Sequence, residues 1–376
     1  MATGFCPSLL YHINEIAGEN APARKMHVAG FLAMLFCCQN SSVSPLNDPF
    51  ANGHQRGLQI KYRRRPVLGD VQDEDNCDIN TQPGYLEWTI PTLLHRQVSF
   101  HISDDLISRY CEDASRMRAT GAPPTQVMME VYDLIIEHAN ILMRAINRAV
   151  VTSQATEFGV NVTTGSDTGK VINIPRNGND FVLDNGIIDM MQDIQENEIC
   201  GDPCIVGGGI YAAYDKARAI ACCNAAGIDL SRTGVPNFFF DKDTQSIWGT
   251  NSIGLFAPGS VKFISRNKFV RGFAGQKGTS FFTTLPLPVQ EFGCADDCLR
   301  DLVLDMQLKY FDCPTDDGNG GTIERGWQVI LSKDFALWTQ PTDAFQATDE
   351  LFETNGTLKY FVANTSYGGD SYAYAF

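Results

Sequence analysis

Twelve cysteines are the residues of this sequence best suited to metal or redox chemistry. Four of them form two pairs with three-residue spacers, Cys200 with Cys204 and Cys294 with Cys298. This spacing lies within the loose range of structural zinc sites, although two-residue spacers are a stronger signal. A disulfide across either pair is an equal alternative. We expect neither, because most cysteines in a reducing compartment are free, buried thiols.

The histidines are poorly placed for catalysis. All 6 lie at or before His138, so a histidine-based triad or metal cluster would have to draw on that part of the chain alone. The sequence has neither the HExxH spacing of a zinc protease nor the GxSxG turn of a serine hydrolase. We therefore predict no enzyme, no catalytic residue and no cofactor.

One glycine-rich turn points to a rival function. Residues Gly207 to Ala212 follow a short apolar run and fit G-x-G-x-x-A, and Asp229 lies further along the chain. Such a turn binds the pyrophosphate of a dinucleotide when it opens a βαβ unit. A cytosolic nucleotide-binding enzyme is therefore the alternative function, and a tight strand-to-helix turn of small residues is the simpler interpretation.

The charges of the chain are acidic and locally clustered. Lys plus Arg is 29 and Asp plus Glu is 44, giving a net charge of −15, which argues against a protein that holds nucleic acid by bulk electrostatics. The only dense basic run is followed directly by acidic residues. Either this segment is a solvated face, or its charges pair between subunits. The candidate contact residues are Lys61, Arg63, Arg64, Arg65, Asp70, Asp73, Glu74 and Asp75.

The elements that must position these residues begin with an extension, residues 1–58. Its most apolar run, His27 to Cys38, predicts a buried helix that is too short to cross a bilayer. No secretory signal is visible, so we expect a cytosolic site of synthesis. The extension is too broken to form its own core and must lie on this subunit or on a neighbour. We expect its deletion to leave a folded body.

The rest of the chain alternates helices and strands. Alternating apolar and polar residues predict two strands at 86–90 and 97–102 of a long hairpin. Ser103 is predicted to cap a helix that ends near Gly121, and a second helix is predicted to start at Thr125, after Pro123 and Pro124, and to run to about Val151. Further predictions are a hairpin at 157–163 and 170–175, a helix at 186–198, a strand from Cys204, strands at 237–241, 246–249, 254–256 and 260–265, and paired strands at 304–311 and 326–332.

This order of parts resembles the major capsid proteins of tailed bacteriophages, the Hong Kong 97 fold. Four short sequence segments also resemble stretches of phage capsid subunits: FAPGSVKF from Phe256, RNKFV from Arg266, LDMQLKYF from Leu304 and GWQVILSKDF from Gly326. The resemblance implies an α+β fold with an N-terminal arm, an extended loop, a spine helix, and peripheral and axial domains. The implied boundaries are an arm at 1–58, a loop at 59–102, a peripheral domain at 103–185 with its spine helix at 125–151, an axial domain at 186–295, and return strands with the tail at 296–376.

The resemblance also implies a structural function. Copies would form pentamers and hexamers that close into an icosahedral shell around packaged double-stranded DNA, without sequence-specific binding and without a membrane. Scaffolding, portal and decoration proteins are the implied partners, and assembly takes place in the host cytoplasm. Some members cross-link a loop lysine to a neighbour, but residues 66–94 contain no lysine, so we expect none here. Another phage structural subunit is a further alternative.

Overall fold

The structure is a computed structural model that describes residues 26–27, 30–37, 44–45, 58–63, 85–90, 92–121, 125–159, 170–177, 180–181, 203–208, 237–249, 252–268, 275–277, 280–286, 289–290, 303–311, 315–316, 322–323, 325–341 and 355–366. The predicted mixture of helices and sheets is confirmed. The predicted helix at 186–198 lies outside these residues.

The helices, in chain order, are α1 (Gly30–Cys37), α2 (Asp104–Thr120), α3 (Gln126–Gln154) and α4 (Asp243–Ile247). The strands are β1 (Met26–His27), β2 (Ser44–Pro45), β3 (Leu58–Arg63), β4 (Tyr85–Ile90), β5 (Leu94–Ser103), β6 (Lys170–Asn177), β7 (Asp180–Phe181), β8 (Cys204–Gly207), β9 (Asn237–Phe240), β10 (Ser252–Phe256), β11 (Val261–Arg266), β12 (Gly275–Lys277), β13 (Ser280–Pro286), β14 (Val289–Gln290), β15 (Val303–Phe311), β16 (Thr315–Asp316), β17 (Thr322–Ile323), β18 (Gly326–Thr339) and β19 (Thr357–Ser366).

The first sheet is built around β18, the longest strand described. Residues 326–332 of β18 pair with both β5 and β15, and Asp334 and Phe335 pair with both β5 and β11. A strand has two edges, so β11 and β15 must follow one another along the edge opposite β5. β13 and β12 extend the sheet beyond β15. β18 therefore joins all the strands of the sheet, and the pairing along its edge opposite β5 is interrupted between β11 and β15.

The long helix α3 lies on this sheet. It starts after Thr125, close to the predicted position, and the Thr125 side chain accepts a hydrogen bond from Met128 N. Ser103 accepts one from Leu106 N in α2, and Gly121 ends α2 at a positive φ of 65°. Apolar residues spaced three or four apart bury one side of α3 against β5 and β18. The predicted pair of helices is confirmed.

The second sheet has the strand order β7-β6-β19-β10-β8-β9. β19 lies in its interior, parallel to β6 and antiparallel to β10. The sequence patterns do not predict β19, and β6 pairs with β19 and β7 while residues 157–159 are not strand. The strand predicted at 246–249 is also wrong. Residues 246–247 end α4 and residues 248–249 follow it, while the Asp241 side chain accepts a hydrogen bond from Asp243 N at the start of this helix.

Helix α1 joins the two sheets. It contacts α3, β8 and β9 on one side and β11 on the other, and most of its side chains are fully buried in the main core. Gly30 sits so close to the Phe240 carbonyl that a Cβ at this position would lie 2.1 Å from the oxygen. The predicted buried helix is confirmed, and it lies on its own subunit. Among the described residues, no helix is long and apolar enough to span a membrane.

Candidate assembly surface

A small sheet lies next to β5 in the chain, and its central strand β3 pairs with β4 on one edge and with the short β2 on the other. We call the β3–β4 pair the ribbon. The strands are antiparallel, with Lys61 opposite Glu87 and Tyr62 opposite Leu86. Side chains alternate between the two faces of a strand, so Ile60, Tyr62 and Leu86 share one face while Lys61 and Glu87 share the other. The ribbon thus has an apolar face and a charged face.

The apolar face of the ribbon base is anchored on the first sheet. Ile60 packs with Ile264 of β11 and Trp338 of β18 in a separate buried cluster, flanked by Trp88 and Leu93. The neighbours of Trp338 in β18 contribute to the main core instead, so this cluster lies on the sheet face opposite α3. Burying an indole and two isoleucines fixes the direction in which the ribbon leaves the body.

The apolar face continues outward beyond this anchor. Leu86 lies one position further along than Trp88 on this face, and 37% of its surface is exposed. Its cross-strand partner Tyr62 is only partly buried. An apolar face that leaves the body and stays partly uncovered is suited to contact another molecule.

The structure describes only part of the predicted charge cluster. Lys61 is exposed on the charged face, opposite Glu87, and the backbone of Arg63 pairs with Tyr85. These two residues do share one projecting ribbon. The remaining six candidates, Arg64, Arg65, Asp70, Asp73, Glu74 and Asp75, lie outside the described residues, so the predicted charge pairing between subunits stays a prediction.

A polar cluster holds α1 in place, and the sequence analysis missed it. The Asp241 carboxylate accepts hydrogen bonds from Phe31 N (3.0 Å) and from Asn147 Nδ2 (2.9 Å). The Asn147 carbonyl accepts one from Leu32 N (3.2 Å), and its amide also donates to Asp243 Oδ2 (3.2 Å). Burial raises the pKa of Asp241 despite these donors. The cluster therefore caps α1 from two elements distant in sequence.

A second buried polar group is Lys333 of β18. Its ammonium donates hydrogen bonds to the carbonyl of Val303 (2.6 Å) and to Oδ1 of Asn267, at the break between β11 and β15. Burial lowers the pKa of Lys333 to about 8, although Asp305 and Asp334 act in the opposite direction. The buried ammonium is therefore satisfied by one backbone carbonyl and one side-chain amide at this break in the sheet.

An exposed cluster lies on the neighbouring strand pair. His95 Nδ1 is 2.6 Å from Asp334 Oδ1, and Lys268 Nζ is 3.6 Å from the same oxygen. His95 Nε2 also contacts Gln97 Oε1 at 3.2 Å. These contacts tie β5 to β18 and β11 beside the ribbon base.

The cysteine and glycine predictions fall partly within the described residues. Cys204 is a buried cysteine of β8, while Cys200, Cys294 and Cys298 lie outside them. Across the part of the chain that the structure describes, no three histidine, cysteine or acidic side chains are grouped as metal ligands. Gly208 packs against Gln245 of α4, whose side chain would meet a Cβ at 2.4 Å. Gly208 is the variable position between the motif glycines Gly207 and Gly209, and residues 209–212 lie outside the described residues, so the nucleotide-binding turn stays an alternative prediction.

No protein-family model matches the sequence, and no curated protein does either. A solved structure from Mycobacterium phage Adephagia has 12% identity and a TM-score of 0.46, covering 92% of this chain and 93% of that chain. The capsid structure of cyanophage P-SCSP1u has 11% identity and a TM-score of 0.40, covering 93% and 92%. The capsid asymmetric unit of cyanophage A-1(L) has 13% identity and a TM-score of 0.44, covering 87% and 93%. This chain is thus similar to phage structures, two of which are named as capsids.

Proposed function

We propose that this chain is the major capsid protein of a tailed phage, a structural subunit that assembles with copies of itself. The observation that carries the proposal is the β3–β4 ribbon. It is anchored at its base by Ile60 and Trp338, and its apolar face runs outward to the partly exposed Leu86. An apolar face that stays partly uncovered beyond its anchor is suited to rest on another subunit.

The body of the subunit supports this role. The first sheet, α3 and α1 form one hydrophobic core that holds the ribbon base on a rigid support. A shell gains its stability by repeating modest contacts over many copies, and a fixed ribbon direction makes each contact identical. We propose a non-catalytic role, with the arm, extended loop, spine helix, axial and peripheral domains at the boundaries predicted above.

The finer parts of the proposal concern partners. Copies form pentamers and hexamers around double-stranded DNA, and the charges from Lys61 to Asp75 pair between subunits. Scaffolding, portal and decoration proteins are the expected partners, with assembly in the host cytoplasm. The acidic net charge of the chain fits a shell whose inner surface encloses DNA without binding it tightly.

The test compares two substitutions on the same strand. Leu86→Glu places a charge on the apolar face, and Thr89→Glu places one on the opposite, exposed face. We expect the wild type and Thr89→Glu to elute as capsomers or shells in gel filtration with light scattering, and Leu86→Glu to elute as a smaller folded species. A wild-type chain that stays monomeric at high concentration would refute the proposal. Equal assembly of both variants would refute the role of the ribbon.

A further inference from the structure

The first sheet ends at β5, and one long side of this strand is not paired. β5 pairs with β18 over all 10 of its residues, without a bulge. In the described part of the chain, no strand pairs with its other side. The strand is open to solvent there, since His95, Arg96, Gln97 and Ser99 are all exposed. We call this unpaired side of the strand the β5 edge.

The hydrogen bonds at one end of β18 identify the backbone groups that point out of the β5 edge. Asp104 N donates to Arg325 O (3.3 Å), and these two residues lie opposite each other, one position beyond the pair of Ser103 and Gly326. In an antiparallel pair, residues that bond to the partner strand alternate with residues whose N–H and C=O groups point away from it. The even-numbered residues of β5 therefore bond to β18, and the backbone groups of the odd-numbered residues point outward.

The other end of β18 gives the same result. Gln340 N donates to Ser260 O (2.7 Å), one position beyond the pair of Val261 and Thr339 that joins β11 to β18. The even-numbered residues of β18 therefore bond to β11, and its odd-numbered residues bond to the strand on the opposite side. That strand is β5, whose even-numbered residues lie opposite the odd-numbered residues of β18.

Little protects the outward groups of the β5 edge. The Arg96 side chain donates a hydrogen bond to the carbonyl of His95 (3.0 Å), which occupies one outward acceptor. Within the described residues, no hydrogen bond reaches the outward backbone groups of Gln97 or Ser99. Exposed edges are normally interrupted by a proline, by a bulge or by short length, because they are a template for another strand. β5 is long, regular and without proline, so its edge can receive a strand.

The ribbon carries a second unpaired edge. β4 is the last strand of the sheet β2-β3-β4, and it does not pair with β5 of its own chain. Leu86, Glu87 and Thr89 are exposed along it. β4 has one acidic residue and no basic residue, whereas β5 contains Arg96 and no acidic residue. The two edges are therefore complementary in charge as well as in hydrogen-bonding groups.

We propose that β4 of one copy adds to the β5 edge of a second copy and extends the first sheet of that copy by one strand. Strand addition of this kind derives its affinity from main-chain hydrogen bonds. The contact satisfies both edges at once and brings the partly uncovered Leu86 against the body of the neighbour. Pairing between two β5 edges would bring two copies of Arg96 together and leave β4 unpaired.

This inference rests on the proposed function and deepens it, because it names the surface on which the ribbon of a neighbour lies. β4 and β5 are different surfaces, so each copy gives a strand to one neighbour and receives a strand from another. A contact between two different surfaces generates a ring when the rotation closes, as pentamers and hexamers require.

The first experiment blocks the β5 edge with one substitution. Ser99→Pro removes an outward N–H group and fixes φ at about −65°, which an edge strand tolerates where the N–H group does not bond within the sheet. Ser99→Ala keeps the N–H group and is the matched control. We expect the unassembled Ser99→Pro subunit to unfold in urea in a single transition, as the wild type does.

The readout is the subunit concentration at which assembly begins, measured by light scattering. It should rise at least about tenfold for Ser99→Pro and stay unchanged for Ser99→Ala, because one lost hydrogen bond between subunits changes an association constant by about that factor. A folded Ser99→Pro chain that assembles at the wild-type concentration would overturn the inference.

The second experiment maps the contact directly and decides the question even if Ser99→Pro does not fold. The photoreactive amino acid benzoylphenylalanine replaces Thr89 on β4 or, as a control, Ser115 on the exposed side of α2. Copies that carry it are assembled with isotope-labelled copies, so that mass spectrometry recognises links between different copies.

Irradiated particles should contain a link from position 89 of one copy to β5 of another, and no link from position 115 to β5. Assembled particles in which position 89 links only to other surfaces would overturn this inference and leave the capsid proposal standing. Failure of the wild type to assemble would instead refute the capsid proposal.

Discussion

The buried ammonium of Lys333 gives the stability of this chain a pH dependence that one substitution can isolate. Burial lowers its pKa from 10.5 to about 8. One pKa unit corresponds to about 1.4 kcal/mol, so burying the charged ammonium costs about 3 kcal/mol more than burying the neutral amine. Between these two pH values the unfolded chain holds more protons than the folded chain, and the free energy of unfolding therefore rises with pH. Below about pH 8 Lys333 is protonated in both the folded and the unfolded chain, so the full cost of burying its charge lowers the free energy of unfolding.

Lys333→Met removes the charge and keeps most of the aliphatic stem. It also removes the hydrogen bonds to Val303 and Asn267, which we value at about 1–2 kcal/mol. The variant should therefore be more stable than the wild type by about 1–2 kcal/mol at pH 7. It should be less stable by a similar amount above about pH 10.5, where the wild-type amine is neutral.

The assay is urea unfolding of the unassembled subunit, followed by tryptophan fluorescence across this pH range. Subtracting the variant from the wild type cancels other titrations, including that of Tyr132, whose pKa is raised to about 12 by burial. Leu331→Met on the same face of β18 is the control, and its difference from the wild type should not change with pH. A wild-type minus Lys333→Met difference that is constant with pH would refute the reasoning.

Three further predictions concern the attachment of α1. Asn147→Asp places a second carboxylate against the buried Asp241, so it should lower the melting temperature at pH 7 and recover part of it as the pH falls. Gly30→Ala forces a methyl group into the Phe240 carbonyl and should cost about 1–3 kcal/mol in urea unfolding. Deleting residues 1–37 removes several fully buried side chains, each worth about 2–5 kcal/mol, and should abolish cooperative unfolding.

Each of these predictions has a contradicting result. A flat pH profile for Asn147→Asp would mean that the polar cluster is open to water. Wild-type stability of Gly30→Ala would mean that α1 shifts freely. A folded truncated body is what the sequence alone predicted for deletion of 1–58, and finding one would show that α1 is dispensable to the core.

The sequence predicted the elements whose signals are local. The cap at Ser103, the start of α3 after the proline pair and the 3.6-residue period of α3 lie within single segments, and so does the alternation in β4 and β5. β19 was missed although it carries the same kind of local signal, since the buried Leu358 and Tyr360 alternate with Thr357 and Lys359. Its interior position between β6 and β10 depends on pairing with distant segments. The strand predicted at 246–249 was wrong because the Asp241 side chain starts a helix there.

The same contrast applies to the candidate site. The ribbon could be predicted from alternation, but its anchor on Trp338 depends on how β18 is placed in the sheet. Asn147 did leave a signal, since it lies on the apolar side of α3 next to Ile146. Lys333 left one as well, because it lies between Leu331 and Phe335 on the core face of its strand. A polar residue among regularly spaced apolar residues indicates that its side chain bonds to a buried partner. The sequence pattern does not say which residue that partner is.

Electron microscopy of the purified full-length chain tests the central claim most directly. The account predicts closed shells in which pentamers and hexamers are resolved, with the β3–β4 ribbon of each subunit lying on a neighbour. A homogeneous monomer, or an assembly in which the ribbon touches no other subunit, would contradict it.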